Sequence, residues 1–411
     1  MIASALLSRR GFLAAGTMAS LRAADSLPPV RAITKGPKHH WFGYYDKLQF
    51  DPTNRYVLGM EVGFEHRSPT PEDTIRVGMV DLQDGDRWID LGESRAWCWQ
   101  QGCMLQWIPG SKSEVIWNDR QEGRFVSHIL NVKTGKKRTL PSPIYALSPN
   151  GKWAVAPDFR RLHHTRPGYG YAGVPDPNRE LAAPKDAGIW KMDLGTGRTE
   201  LLFSIAAAAA IPYTHGDWTG AKHWFNHLLV APDGKRFCFL HRWQSPSMRT
   251  RLTRMFTMDP DGKNLYNLIP YGGCSHFIWR DPAHMFAWSF HPSHKDRFYL
   301  WKDRTDEVEV IGKDVMKADG HGTYLPGNQW ILNDTYPDAN RNQNPFLYHV
   351  ATGKLVPLGH FLSPKEYTGE WRCDTHPRFS PNGRLVTIDS PHAGTGRQIH
   401  LIDISGVVGH G

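Results

Sequence analysis

A proline turn that returns along the chain limits its fold more than any other feature. In full form it reads (Asp/Ser)-Pro-x-(Gly/Asn), as at Asp51-Pro52-Thr53-Asn54, Ser148-Pro149-Asn150-Gly151 and Ser380-Pro381-Asn382-Gly383. Shorter copies stand at Pro109-Gly110, Pro232-Asp233-Gly234, Asp281-Pro282 and Pro326-Gly327. A strand-like segment precedes each copy, and an apolar, aromatic or β-branched one follows, such as Tyr56-Val57-Leu58, Val115-Ile116-Trp117 or Trp153-Ala154-Val155. A third segment of the same kind follows later in each unit, for example Val77–Leu82, Ile189–Leu194 and Ile399–Asp403, and a fourth strand is expected after it. Turns of this chemistry between short β-prone runs predict hairpins. Seven turn prolines, each heading a four-stranded unit, predict an all-β, seven-bladed β-propeller. No unit buries its apolar faces alone; stacking blade on blade round a ring does.

Composition agrees. Trp 16, Tyr 14 and Phe 18 accompany Gly 39 and Pro 30, which favours strands and turns over long helices. Two stretches break the rhythm between Pro149 and Pro232: inserted loops at 158–185 and 206–221. Long loops on such a scaffold commonly carry function.

The N-terminus reads Ser8-Arg9-Arg10-Gly11-Phe12-Leu13, continues weakly apolar, and ends Arg22-Ala23-Ala24. A twin arginine, a modest apolar stretch and small residues fit a twin-arginine export signal over 1–24, so a periplasmic or secreted location is expected. A single propeller domain is expected over 33–405. The formal charge of +9 falls to about +6 without the leader's three arginines. No Lys/Arg-rich run of the nucleic-acid-binding kind is present, and no apolar run is long enough to insert in a membrane. A modest basic excess suits an acidic substrate. An oligomer is not required by anything in the sequence.

The cysteines Cys98, Cys103, Cys238, Cys274 and Cys373 form no CxxC pair and are odd in number, so most read as buried apolar thiols. Cys274 and Cys373 stand just before two notable histidines.

Those histidines recur in register. His227, His321 and His376 precede the turn prolines Pro232, Pro326 and Pro381 by five residues, and His276 precedes Pro282 by six. The segment before the turn is the first strand of its blade, which lines the channel, so four imidazoles from blades four to seven converge. Such a set suits a divalent transition metal. Asp374, two residues before His376, adds a carboxylate ligand or orients a ring. Manganese or zinc is expected ahead of calcium, because imidazole nitrogen suits the first two. His40, Tyr44 and Tyr45 open the first blade and are placed at the channel mouth facing the cluster.

The phrases His40-Trp41-Phe42-Gly43-Tyr44-Tyr45-Asp46-Lys47, Cys274-Ser275-His276-Phe277-Ile278-Trp279, Asn344-Pro345-Phe346-Leu347-Tyr348 and Thr375-His376-Pro377-Arg378-Phe379-Ser380-Pro381-Asn382 carry a resemblance. The chain resembles oligogalacturonate lyases, seven-bladed propellers that cleave short pectin fragments by β-elimination. The resemblance implies that His276 and His376 hold a manganese ion and that His227 is the base or an added ligand. Three positions depart from that pattern. Asp374 replaces a histidine, the family's glutamine ligand falls near Trp371, and its substrate-binding arginine falls at Gly188-Ile189. The substrate is therefore expected to differ from oligogalacturonate. The more distant ulvan lyase propellers use His, Tyr and Arg, and Arg166, Tyr169, Tyr171 and His128 are candidates for such roles.

A uronate lyase must steady a carboxylate while the C5 proton leaves and then expel the C4-linked sugar. The expected catalytic set is His227, Tyr169, Arg166 and His40. Arg160, Arg161, Tyr171, Tyr44 and Trp218 are expected to bind sugar, and His276, His376, His321, Asp374 and His227 to bind metal. The rival readings are a glycoside hydrolase that acts beside glucuronate through a channel histidine, and a periplasmic glycan-binding propeller without chemistry. The chain has no Gly-x-Ser-x-Gly elbow, which disfavours a serine triad.

Overall fold

The computed structural model describes residues 27–409 apart from positions 217, 247 and 249; the expected export signal lies outside the described residues. Seven four-stranded antiparallel sheets follow one another round a ring. Their innermost strands are His39–Trp41, Gln106–Trp107, Ala146–Leu147, Lys222–Val230, Cys274–Asp281, Thr323–Tyr324 and Arg378–Phe379. The protein is a seven-bladed β-propeller.

The repeated turn works as its chemistry requires. Asp51 Oδ1 accepts the backbone N–H groups of Arg55 and Tyr56, each at 2.7 Å. Ser380 Oγ accepts that of Leu385 at 3.0 Å, and Ser148 Oγ accepts that of Trp153 at 3.1 Å. The side chain before the proline thus satisfies the donors that open the second strand. The residue closing the turn takes a left-handed φ, +62° at Asn54 and +66° at Gly151.

One expectation fails at the seam. The fourth strand of the last blade does not follow Gln398–Asp403; it is Val30–Ala32 from the N-terminus, paired antiparallel to it. The C-terminal residues Ser405–Val408 form a short helix instead. First and last strands of the chain therefore close the ring in one sheet, three residues before the boundary expected at position 33. Blade six carries an unexpected extra ribbon, Asn342–Gln343 with Phe361–Leu362.

Apolar clusters tile the ring between neighbouring blades. Phe50, Val57 and Val80 of blade one meet Ile399 and Leu401 of blade seven, and Leu240, Met255, Phe277 and Met285 join blades four and five. Each large side chain removed from water this way contributes about 1.5–3 kcal/mol. The inserted loops hold two short helices, Phe159–Thr165 and Ile205–Ala210. No described helix is long and apolar enough to cross a membrane.

The strands alternate in direction, so the start of each inner strand and the end of each second strand share one rim. His276, His321 and His376 stand at inner-strand starts, Arg242 and Asp334 at second-strand ends, and the 158–185 loop follows the second strand of blade three. The site is built on this rim.

Candidate active site

Three histidine rings stand in a row at the channel mouth. Ring centroids of His276 and His321 lie 4.2 Å apart, as do those of His321 and His376. The possible ligand atoms of His321, Asp374 and His376 all lie within 4.8 Å of one another, and all three residues are buried. His321 Nε2 and His376 Nε2 are buried with no hydrogen-bond partner, a costly state for polar nitrogen unless something fills the gap between them.

Carboxylates fix the outer nitrogens. His321 Nδ1 donates to Asp334 Oδ1 at 2.9 Å, and His276 Nδ1 to Asp319 Oδ1 at 2.9 Å. Asp334 is held in turn by the His321 backbone N–H at 2.8 Å and by Thr375 Oγ1 at 2.5 Å. A ring whose outer N–H is taken by a carboxylate presents its other nitrogen as a lone pair, the arrangement of metal-binding histidines. Burial pushes His376 well down, and His321 and Arg378 push it further, so its ring is neutral. For His321, burial lowers the pKa but Asp334 more than offsets it, so without a cation in place this ring holds a proton more readily. His376 has φ +40°, a left-handed backbone rare for a side chain of its size.

Two imidazoles and a carboxylate gathered this closely are a donor set for manganese or zinc, with the His276 ring beside them but outside the group of mutually close ligand atoms. Asp374 Oδ2 lies 3.9 Å from His376 Nε2 and also accepts Arg372 Nε at 2.7 Å. His227 does not join the set. Tyr44 stacks on it, with centroids 4.9 Å apart and planes 13° apart, and stands between it and the other rings. Its Nδ1 faces Tyr145 Oη and Gln101 Nε2, both at 3.0 Å, so Nδ1 accepts and the proton sits on Nε2, 3.4 Å from Tyr44 Oη. Burial, then Arg242, holds its pKa well down, so it is a neutral donor. It too lies on a left-handed backbone, φ +48°, at a bulge in its strand.

Tyr169 and Arg166 reach the same mouth from the 158–185 loop. Tyr169 Oη accepts Arg372 Nη2 at 2.8 Å, and the Arg166 guanidinium lies 4.6 Å from its ring centroid. Burial pushes the Tyr169 phenol up, but Arg372 and Arg166 outweigh it and hold it below the usual phenol range. Tyr44, Tyr45 and Tyr145 are raised well above that range, mainly by burial. Among these tyrosines, Tyr169 is the one tuned toward phenolate.

Other candidates lie elsewhere. His40, on blade one's inner strand, is bound to Gln398 of blade seven at 2.9 Å and to Glu61 of blade one's second strand at 3.2 Å, and is not part of the histidine row. Arg160 pairs with Asp158, the cap of its own helix, at 2.7 Å. Arg161 is buried and spends its N–H groups on the carbonyls of Asn178, Leu181, Ala182 and His223 and on Asp176, so it braces the loop instead of meeting sugar. Tyr171 is fully buried, stacks on Phe159 at 4.2 Å and accepts from Asn118. Trp218 packs among Tyr213, His223 and Trp243 over blade four. His128 is buried in blade two against Asp119 at 3.0 Å. All five cysteines are free and buried; burial pushes the Cys274 thiol up to about 12, and neither it nor Cys373 belongs to the metal-competent group. Residues that sequence reading passed over include Asp334, Asp319, Arg372, Gln101 and Tyr145.

No protein-family model matches the chain, and no curated protein matches it in sequence. Solved structures do match. An oligogalacturonate lyase from Vibrio parahaemolyticus superposes with TM-score 0.67 over 93% of this chain and 95% of its own, at 15% identity. The fold is that of the oligogalacturonate lyase propellers. A second oligogalacturonate lyase structure, in complex with manganese, gives TM-score 0.65 at 13% identity, over 92% of this chain and 94% of its own. The propeller domain of the Trilobed protease from Pyrococcus furiosus reaches 0.51 at 9% identity, over 88% and 96%, so the architecture alone does not select a chemistry.

Proposed function

We propose that the protein is an exported, metal-assisted lyase that cleaves uronic-acid-containing oligo- or polysaccharides by β-elimination. The observation that carries this reading is the pair of buried, unpartnered nitrogens on His321 and His376, facing Asp374 beside the Tyr169–Arg372 pair. Likeness to manganese-bound lyase propellers supports it. His276, His321, His376 and Asp374 would hold the cation, which when bound draws charge from a uronate carboxylate and so acidifies C5.

The remaining work falls to the chain's own groups. Tyr169 Oη, kept toward phenolate by Arg372 and Arg166, takes the C5 proton. The C5–H electron pair becomes the C4=C5 double bond as the C4–O bond breaks. His227 donates its Nε2 hydrogen toward the departing oxygen, and Tyr145 and Gln101 hold the ring in that tautomer. The leaving oxygen gains its proton from Tyr169 or solvent. Tyr44, packed between His227 and His376, keeps water from the gap.

Cleavage in ¹⁸O-water separates this chemistry from hydrolysis. Elimination yields a product pair whose masses sum to that of the substrate, without label. One ¹⁸O per cleavage would establish a hydrolase and overturn the proposal.

A further inference from the structure

Among the described residues, the buried arginines are, with one exception, fully engaged. Arg161, Arg254, Arg378 and Arg397 are each at most 1% exposed, and each donates to carbonyls, carboxylates or a ring nitrogen on several sides. Arg242 is 3% exposed and makes no hydrogen bond or ion pair among the described residues. An unpaired buried guanidinium carries a desolvation penalty of several kcal/mol, so its retention needs a compensating anion.

Its surroundings deepen the deficit. Arg242 and Arg251 line one cleft of about 270 Å³ with Thr250, Ser275, Trp288 and Asp319. Burial lowers the Arg251 pKa to about 9, with Arg242 and Arg166 repelling it further. Arg166 is not part of the cleft lining but lies near enough to repel both Arg242 and Arg251, and its own Nε is buried and unpartnered. The cleft's carboxylates do not neutralise them: Asp319 is engaged by His276, and neither it nor Asp296 pairs with any of the three. Three guanidinium groups thus stand at or near one cleft, and neither of its two carboxylates, Asp296 and Asp319, pairs with any of them.

We propose that Arg242, Arg251 and Arg166 form an anion subsite that binds the acidic group, carboxylate or sulfate, of the sugar next to the one being cleaved. This rests on the lyase reading for the word "next". Ser275 and Asp319 adjoin His276, which sets the subsite immediately beside the histidine row. The cleft suits one hexose-sized group with Trp288 along its wall. Guanidinium groups pair carboxylate and sulfate oxygens in planar, two-pronged fashion, and in a dry cleft such pairs are strong. The protein therefore selects glycans with acidic groups on consecutive sugars.

The test is calorimetric titration of the full-length protein with a methyl uronoside, with inorganic sulfate and with neutral methyl glucoside, repeated for Arg242→Gln and Arg251→Gln. The subsite predicts binding of one or both anions, none of glucoside, and at least tenfold weaker anion binding in each variant. Preference between uronoside and sulfate identifies the acidic group. Arg242→Gln should melt no lower than the parent without ligand, because it removes an uncompensated charge, and should lose the stabilisation that anion gives the parent. Equal anion affinity in parent and both variants overturns the subsite, as does binding of glucoside as tight as uronoside. Anion binding that both substitutions weaken, with no turnover of any uronate, would retain the subsite and sink the lyase reading alone.

Discussion

Replacing Asp334 by Asn tests the metal site through a residue that would not touch the metal. Asp334 takes the His321 Nδ1–H at 2.9 Å and so aims Nε2 at the gap shared with His376 and Asp374. The amide keeps one acceptor oxygen but loses the charge that makes the ring a better donor to a cation. Losing such a partner weakens metal binding by about 10–100-fold. At a metal concentration near 100 times the parent's dissociation constant, binding stabilises the parent by about 2.7 kcal/mol. The same concentration stabilises the variant by only about 0.4–1.4 kcal/mol. With an unfolding entropy of about 0.8 kcal/mol/K for a chain of this size, the metal-induced rise in Tm falls from about 3 °C to about 0.5–2 °C. Thermal melts of parent and Asp334→Asn, each with chelator and with manganese or zinc, read this directly. An equal metal-induced rise in both proteins would refute the claim that Asp334 orients a metal-binding His321.

Other consequences follow from particular contacts. If Tyr169 is the base, activity rises with pH as its phenol ionises, and Arg372→Gln moves that rising limb up by about 1–2 pH units, because burial then raises the phenol with less opposition; an unmoved pH–rate profile would remove Tyr169 from the role. Gly43 has φ +98°, and a Cβ there would lie 2.9 Å from the Gln101 carbonyl carbon, so Gly43→Ala should cost about 1–3 kcal/mol in a urea melt and displace Tyr44 from His227. Arg161→Met should cost about 3–5 kcal/mol by the same measurement, since it strands Asp176, three loop carbonyls and that of His223.

The fold was legible because its signal is local and repeated. The Asp or Ser before Pro52, Pro149, Pro282 and Pro381 closes the hairpin with its own side chain, and that chemistry is visible residue by residue. The histidine row was legible for the same reason, since a distance of five or six residues from the turn brings His276, His321 and His376 to one rim. The seam was hidden because Val30–Ala32 carries no turn and pairs across nearly the whole chain. His40 misled because it lies on an inner strand, yet its ring meets Gln398 of blade seven and Glu61 and Trp88 of blade one instead of the histidine row. Tyr171 and Arg161 had the composition of a sugar-binding loop but fill the loop's own interior. Asp334, Arg242 and Arg372 were passed over because they stand at second-strand ends or in irregular segments outside the histidine register. A charged residue directly after an apolar second strand, as in Ile331-Leu332-Asn333-Asp334, was the available signal, because that end shares a rim with the inner-strand starts.

The most direct test of metal-assisted elimination is the ultraviolet absorbance of unsaturated uronate. The purified protein, stripped by chelator and then reloaded with manganese or zinc, is incubated with pectic, ulvan-like, glucuronan and glycosaminoglycan substrates. The account predicts absorbing product from at least one substrate, lost on stripping and restored on reloading, and absent in His321→Ala. Folded, metal-loaded protein that yields no absorbing product from any of them, or equal product after stripping, would contradict it.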